Sequence, residues 1–178
     1  MSSPAPLPFE IYFLARLGEL QKVVKWLRKG GAVDAHRSTT TCDGRPTATT
    51  LLHAAATNGQ LELVRELLKR GASVDLPSSL GATALMDAAD HGNLSIVLAL
   101  LQHSANPDLQ SDIGVTVLMG SAHQGHEACV KALLRAKANT ELLDEDGFTA
   151  LQHAEAKGHT AIAKLLRQHA APPQPAAA

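Results

Sequence analysis

The sequence predicts an all-α solenoid of stacked helix-turn-helix units with hairpin-like connecting loops. Three columns of residues recur with one period, and a fixed period of this length indicates a repeat architecture. Glycines recur every 33 residues, at Gly59, Gly92, Gly125 and Gly158. A threonine stands nine residues before each glycine, at Thr50, Thr83, Thr116 and Thr149. A leucine follows each threonine by two positions, at Leu52, Leu85, Leu118 and Leu151.

Each period contains two helices. The stretch from Thr50 to Gly59 predicts a short first helix, because the threonine hydroxyl can cap it and the glycine can end it. The second helix has apolar residues at i, i+3 and i+4, which form one buried stripe. These are Val64, Leu67 and Leu68, then Val97, Leu100 and Leu101, then Val130, Leu133 and Leu134. Gly71 predicts the end of the second helix, and we expect a weaker stop where Ser104 and Lys137 replace it.

Four segments carry a known repeat motif: Leu52-His53-Ala54-Ala55, Gly81-Ala82-Thr83-Ala84-Leu85, Gly125-His126 and Gly147-Phe148-Thr149-Ala150-Leu151. Over roughly residues 9–169 the chain resembles the ankyrin-repeat family, whose motif runs Gly-x-Thr-Pro-Leu-His-x-Ala-Ala-x-x-Gly-His. The resemblance implies two antiparallel helices and a β-hairpin-like loop per unit, stacked into a curved solenoid.

One departure from the family motif concerns its histidine, which is present only as His53. Met86, Met119 and Gln152 stand at the same position in the other units. In the family this histidine ties adjacent loops together by hydrogen bonds. The resemblance therefore implies less firmly braced loops in three units, although methionine can fill the space.

Five units are expected, at about 9–35, 48–77, 81–110, 114–143 and 147–169, with the outer two acting as caps. Eight extra residues separate the first two units, and we expect an extended, exposed hairpin or loop over 36–49 that contains Cys42-Asp43-Gly44. Arg167 replaces a leucine of the last helix, as a solvent-facing cap requires. Residues 1–8 are expected to be a flexible terminus and 170–178 a disordered Pro/Ala tail.

Composition disfavours several classes of protein. A net charge of −1 gives no field for nucleic acid, and a solvated helix face is the favoured interpretation of Lys22, Lys25, Arg28 and Lys29. Two cysteines 87 residues apart indicate neither a disulfide framework nor a zinc site. The N-terminal region resembles neither a signal peptide nor a membrane span. We therefore expect a soluble intracellular protein, most simply cytoplasmic, with the nucleus and an organelle stroma also open.

No motif of nucleotide binding or nucleophilic catalysis occurs in the sequence. His126-Glu127 begins like a zinc-binding His-Glu-x-x-His, but Val130 stands where the second histidine is needed. Cys129 falls in the column of Leu63, Ile96 and Ile162, which favours a buried core residue over a thiol–imidazole pair with His126. The sequence therefore predicts no cofactor, no metal ion and no enzyme.

Two groups of residues are candidates for contact with a partner. Asp90, His91, His123 and Gln124 lie near the ends of first helices, at positions that face the concave surface in the resembling family. A metal or acid–base site there is the less favoured alternative to an interface. Four apolar residues flank the loop glycines, and they either form an exposed patch or bury each other: Leu80, Ile113, Val115 and Phe148.

The favoured function is a non-catalytic protein–protein interaction scaffold that binds a partner through the concave groove and the hairpin tips. We expect such an adaptor to be monomeric when free. The main alternative is a small structural subunit permanently integrated in a larger multiprotein assembly. An enzyme or metal-binding protein that uses the groove histidines is the third hypothesis.

Overall fold

The computed structural model describes residues 6–40 and 46–169. Within these residues the chain forms five helical hairpins, one in each of the expected units. The first three pair α1 (Phe9–Arg16) with α2 (Leu20–Arg28), α3 (Leu51–Thr57) with α4 (Leu61–Lys69), and α5 (Ala84–Asp90) with α6 (Leu94–Gln102). The last two pair α7 (Val117–Gln124) with α8 (Glu127–Arg135), and α9 (Ala150–Ala156) with α10 (Thr160–His169).

The hairpins stack in two rows. The first helices α1, α3, α5, α7 and α9 pack on one another in order, and the second helices from α4 to α10 do the same. One continuous apolar core runs between the rows. Alanines such as Ala55, Ala88 and Ala122 are fully buried in the first helices, where small side chains permit close approach of neighbouring helices. The predicted all-α solenoid is confirmed.

The repeated threonines cap the first helices as predicted. Each hydroxyl accepts a hydrogen bond from the backbone N–H three residues later, at N···O distances of 3.3–3.5 Å. Thr50, Thr83 and Thr116 are themselves buried. Their capping bonds therefore satisfy polar groups that would otherwise be desolvated without a partner.

A ladder of side-chain hydrogen bonds fastens each unit to the unit before it. The residue after each repeated glycine donates to a carbonyl at the end of the preceding first helix, with donor–acceptor distances of 2.8–3.0 Å. The four pairs are Gln60 with Arg16, Asn93 with Ala56, His126 with Asp90, and His159 with His123.

The periodic glycines make room for this ladder. Gly125 has a left-handed φ of +83°, and a Cβ at this position would lie 2.6 Å from Cε1 of His159. At Gly92 a Cβ would lie 2.8 Å from Nδ1 of His126. These glycines therefore serve two needs, since they allow the left-handed helix end and let the next unit's donor cross over them.

A second set of inter-unit bonds joins the turns that follow the second helices. Asp34, Asp75 and Asp108 each accept a backbone N–H from the next unit, from Ser73, Asn106 and Asn139 at 2.8–3.0 Å. The turns themselves share one geometry, because Ser104 and Lys137 adopt φ of +64° and +63° where the second unit has Gly71. The second helices of these two units therefore end at a non-glycine residue in the left-handed conformation. This conformation costs about 1–2 kcal/mol for a residue with a side chain.

The loops remain joined where the motif's histidine is absent. His53 Nε2 donates to the Ala82 carbonyl at 3.0 Å, as the resemblance implies. At the later junctions the loops are joined by backbone bonds, from the Asp112 N–H to the Leu80 carbonyl and from the Glu145 N–H to the Ile113 carbonyl, both at 3.2 Å. The described tips are therefore fixed relative to one another by the main chain.

The insertion between the first two units contains a β-hairpin. Strands β1 (Arg37–Thr40) and β2 (Pro46–Thr49) pair antiparallel, with Arg37 opposite Thr49. Ser79 extends this pairing towards the next tip, since its N–H donates to the Ala48 carbonyl at 3.0 Å. The expected extended hairpin is present, whereas the Cys42-Asp43-Gly44 segment lies outside the described residues.

The N-terminal boundary differs from the expectation of a flexible segment over 1–8. Leu7 is buried, and its N–H donates to the His36 carbonyl at 2.9 Å. Packing thus begins before Phe9, because the apolar Leu7 side chain covers the first unit. In the last helix Leu166 is buried and Arg167 is exposed beside Glu155. Residues 1–5 and the Pro/Ala tail at 170–178 lie outside the described residues.

Two glycines with the same φ of +83° provide a matched test of the ladder. A Cβ at Gly71 meets no atom within 4 Å, so Gly71→Ala should cost only the left-handed backbone, about 1–2 kcal/mol. Gly125→Ala should cost about 1 kcal/mol more, because the His159 ring must move off the His123 carbonyl. Urea unfolding followed by circular dichroism measures both, and equal shifts would contradict the role of the ladder.

His53→Met tests the loop brace by introducing the residue that the third and fourth units carry at this position. We expect a loss of about 1–2 kcal/mol in the free energy of unfolding, because the Ala82 carbonyl loses a buried donor. His91→Met is the control, since His91 is exposed and bonds only its own helix. Its effect should stay within about 0.5 kcal/mol.

His53→Met also tests how the free energy of unfolding depends on pH. Burial lowers the pKa of His53 from 6.5, and the nearby His36 also lowers it, while the bond to the Ala82 carbonyl acts in the opposite direction. A histidine held neutral stabilises the fold fully above its unfolded pKa, and this contribution is lost as the pH falls below that value. The stability difference between wild type and His53→Met should therefore shrink from about pH 7.5 to about pH 5. A pH-independent difference would show that folding does not lower the pKa of His53.

Candidate functional site

The loop tips present a row of exposed apolar side chains. Leu80, Ile113 and Phe148 are 53%, 60% and 46% exposed. Val115 is half-buried and packs against the core. Of the four apolar residues beside the loop glycines, Val115 is thus the one whose side chain is partly buried. We call Leu80, Ile113 and Phe148 the tip row. The backbone bonds between tips hold these side chains in fixed positions on one edge of the stack.

Of the four predicted helix-end residues, Asp90 and Gln124 are in direct contact, whereas His91 bonds only its own helix. Gln124 Nε2 donates to Asp90 Oδ1 at 3.0 Å, which joins the third and fourth units. His91 lies one turn from Asp87 and donates through Nδ1 to the Asp87 carbonyl at 2.9 Å. Burial lowers the pKa of His123, and the nearby Lys157 and His153 lower it further. His123 is therefore a neutral imidazole near pH 7.

His153 completes the end of this surface nearest the last unit, and the sequence analysis did not select it. Its ring lies edge-on to His123 and Phe148, with centroid distances of 5.7 Å and 6.1 Å. Its Nε2 donates to Oδ2 of Asp144 at 2.7 Å. Burial opposes the charged form of Asp144, but bonds from the Phe148 N–H and from His153 lower its pKa below the usual range. This carboxylate thus fixes both the tip and the histidine.

A cavity of about 230 Å³ opens between the third and fourth units. It connects the two groups of candidate residues, since Asp90, Ile113 and Val115 all line it. Leu80, His91, His123, Gln124 and Phe148 do not line this cavity. Seven further lining residues were not selected as candidates from the sequence, and Met86, Asp87 and Gly120 are among them.

Asp87 is the unusual titratable group of this cavity. Burial raises the pKa of Asp87 to about 6, with Asp90 acting in the same direction and His91 and the Thr57 hydroxyl against it. Its column, four residues after each capping threonine, holds Ala54, Asp87, Gly120 and His153. A carboxyl in a column that is otherwise small or neutral is the sequence signal that could have identified it.

Gly120 leaves its part of the cavity wall without a side chain. It lies inside α7 without a positive φ, so the backbone does not require glycine here. Glycine within a helix costs about 0.5–1 kcal/mol relative to alanine. The nearest atom to a Cβ at this position would be Asp90 Oδ1 at 3.8 Å, which leaves the space above α7 open.

The first unit adds an apolar stripe that the sequence analysis also missed. Phe9, Phe13 and Leu17 are exposed at the i, i+4 and i+8 positions of α1 and its C-terminal end. The Phe9 and Phe13 rings stack with centroids 6.1 Å apart, and the Arg37 guanidinium lies 4.5 Å from the centroid of Phe9. The spacing along one helix face is the signal that could have revealed this stripe.

Within residues 6–40 and 46–169, no three His, Cys, Asp or Glu side chains converge to hold a metal ion. No helix in the part of the chain that the structure describes combines the length and hydropathy needed to cross a membrane. Cys129 is buried in the core, and burial raises the pKa of its thiol.

Comparison with known proteins identifies the family of the chain. A family model described as ankyrin repeats, in three copies, matches residues 11–111 and again residues 100–175. No curated protein matches the chain. Ankyrin repeats are generally protein–protein interaction modules, and the family is typically non-catalytic. Because the match covers nearly all of the helical stack, the chain belongs to the ankyrin-repeat family.

Proposed function

We propose that this chain is an adaptor that binds a partner protein between the tip row and the ends of the first helices. The observation that carries the proposal is the tip row itself. Three large apolar side chains on neighbouring tips remain exposed although the described part of the chain has a continuous core that could have buried them. Exposed apolar groups beside a polar cleft are typical of protein-binding surfaces.

The rigidity of the surface supports this function. The tips are joined by backbone bonds at 3.2 Å, and Gln124 links two helix ends through Asp90. A partner that binds such a surface orders few groups of the scaffold, so little of the interaction energy is lost to conformational entropy. Fixed side chains also favour one partner geometry over others.

The surface carries a residue that opposes folding. The raised pKa of Asp87, about 6, means that the folded state disfavours its charged form at neutral pH. A carboxyl with a perturbed pKa in a cleft is a candidate functional group.

The composition is consistent with an intracellular adaptor. Two cysteines far apart in the sequence suit a reducing compartment, most simply the cytoplasm. A stack with capped outer units suits a monomer that joins a larger assembly only through its partner.

Ile113→Asp combined with Phe148→Asp tests the binding surface. Both side chains are exposed, so the double variant should keep the helicity and melting temperature of the wild type. It should lose the partner, because carboxylates would be desolvated against an apolar contact. Affinity purification from native cells with quantitative mass spectrometry compares the proteins retained by each form.

Leu98→Asp is the matched control, since Leu98 is 44% exposed on α6, in the row of second helices. It should retain the same partner as the wild type. Retention of that partner by the tip-row double variant would refute the assignment of the surface.

Asp87→Asn tests whether the buried charge of Asp87 lowers the free energy of unfolding. With a folded pKa of about 6 and an ordinary value of 3.8, the Asp87 contribution to stability is fully present below 3.8 and lost as the pH rises through 6. The asparagine variant should therefore be more stable than wild type by about 1–3 kcal/mol near pH 7.5, and the difference should vanish near pH 4. Unfolding in urea at both pH values measures it, and a destabilised variant at neutral pH would contradict the argument.

A further inference from the structure

We infer that the cavity between the third and fourth units receives a lysine or arginine side chain of the partner protein. Its aliphatic stem would pack against Met86 and Ile113, and its charged end would meet Asp87 and Asp90. The inference rests on the proposed partner-binding function and adds the chemical nature of one anchoring residue.

The size of the cavity fits one side chain. Its volume of about 230 Å³ lies below the roughly 300–1,000 Å³ of pockets that hold small-molecule ligands. A buried anchor that enters a pocket at the centre of an interface is the usual source of most of the binding energy, and arginine is among the residues enriched there.

The charge of the cavity selects a cation. Asp87 and Asp90 lie one turn apart on α5, and both line the space. None of the ion pairs formed among residues 6–40 and 46–169 involves either of them. Both have neutral partners, since Asp90 accepts from the Gln124 amide and Asp87 accepts from the Thr57 hydroxyl. A carboxylate in a partly buried site is stabilised when an opposite charge enters, whereas a neutral or acidic side chain leaves it desolvated or repelled.

The walls of the cavity suit the stem of such a side chain. Met86 and Val115 are half-buried, and Ile113 extends over the space from the tip row. Lysine and arginine bury their methylene stems along apolar surface while their charged ends stay paired. Methionine adapts its shape to an entering chain more readily than a branched residue.

The room in the cavity also depends on the small residue at position 120. This observation is independent of the two carboxylates. No side chain at position 120 of α7 fills the room beside Asp90. Gly120→Leu should fill this room without changing any charge. Gly120→Ala adds only a Cβ at an ordinary contact distance of 3.8 Å and serves as its matched control.

Selection from a library of random 12-residue peptides displayed on phage tests the inference with the full chain. Binders are selected on the wild-type protein and depleted on the Ile113→Asp, Phe148→Asp double variant, so that only peptides that require the surface remain. We expect these peptides to share a lysine or arginine. Replacing that residue by norleucine in a synthetic peptide should weaken binding by about tenfold or more, measured by fluorescence anisotropy.

The protein variants give the second half of the test. Asp87→Asn with Asp90→Asn, and separately Gly120→Leu, should weaken the same peptide by about tenfold or more, whereas Gly120→Ala should bind like wild type. The norleucine peptide keeps the test decisive even if Gly120→Leu fails to fold, because that substitution leaves the protein untouched.

The outcomes separate the inference from the proposed function. Surface-dependent peptides without a shared basic residue, or a basic peptide indifferent to the two asparagine substitutions, would overturn the inference and leave the adaptor function standing. If no peptide depends on the tip row, the adaptor function fails and the inference fails with it.

Discussion

The donor that crosses each repeated glycine is the interaction on which the rest of this structure depends. His126 and His159 each reach a carbonyl of the preceding first helix, and they can do so only because Gly92 and Gly125 have no side chain. This contact ties each unit to the end of the preceding first helix. The tip row and the cavity both depend on that connection, since each is built from residues of more than one unit.

Two residues that line the cavity between the third and fourth units are unfavourable for stability. Asp87 is more favourable when neutral, and Gly120 weakens the helix that carries it. The ladder bonds, the threonine caps and the turn aspartates offset this loss of stability, because they recur along the stack. Four ladder bonds, four threonine caps and three aspartate bonds are present among the described residues. A repeat scaffold can tolerate such local costs because its stability is close to a sum over units and their nearest neighbours.

Sequence periodicity was sufficient for the fold, because every column has a physical reason that acts within one unit. The threonine caps, the glycine helix ends and the buried stripes could all be derived in this way. The candidate binding surface was only partly predictable from the sequence. Leu80, Ile113 and Phe148 follow from polarity at the tips, but the cavity depends on Gly120 of one unit facing Met86 and Asp87 of another. These residues belong to different units and are far apart in the sequence, so their pairing could not be predicted. The same holds for the bonds from the next unit to Asp34, Asp75 and Asp108.

The ladder also has a direction, because in all four described rungs the later unit donates and the earlier unit accepts. During synthesis from the N-terminus, the acceptor carbonyls of one hairpin are formed before the donor of the next hairpin leaves the ribosome. Each new hairpin therefore supplies the donors for acceptors that have already been synthesised. Assembly can advance by one unit at a time in step with translation, and exposed apolar faces are covered as they appear.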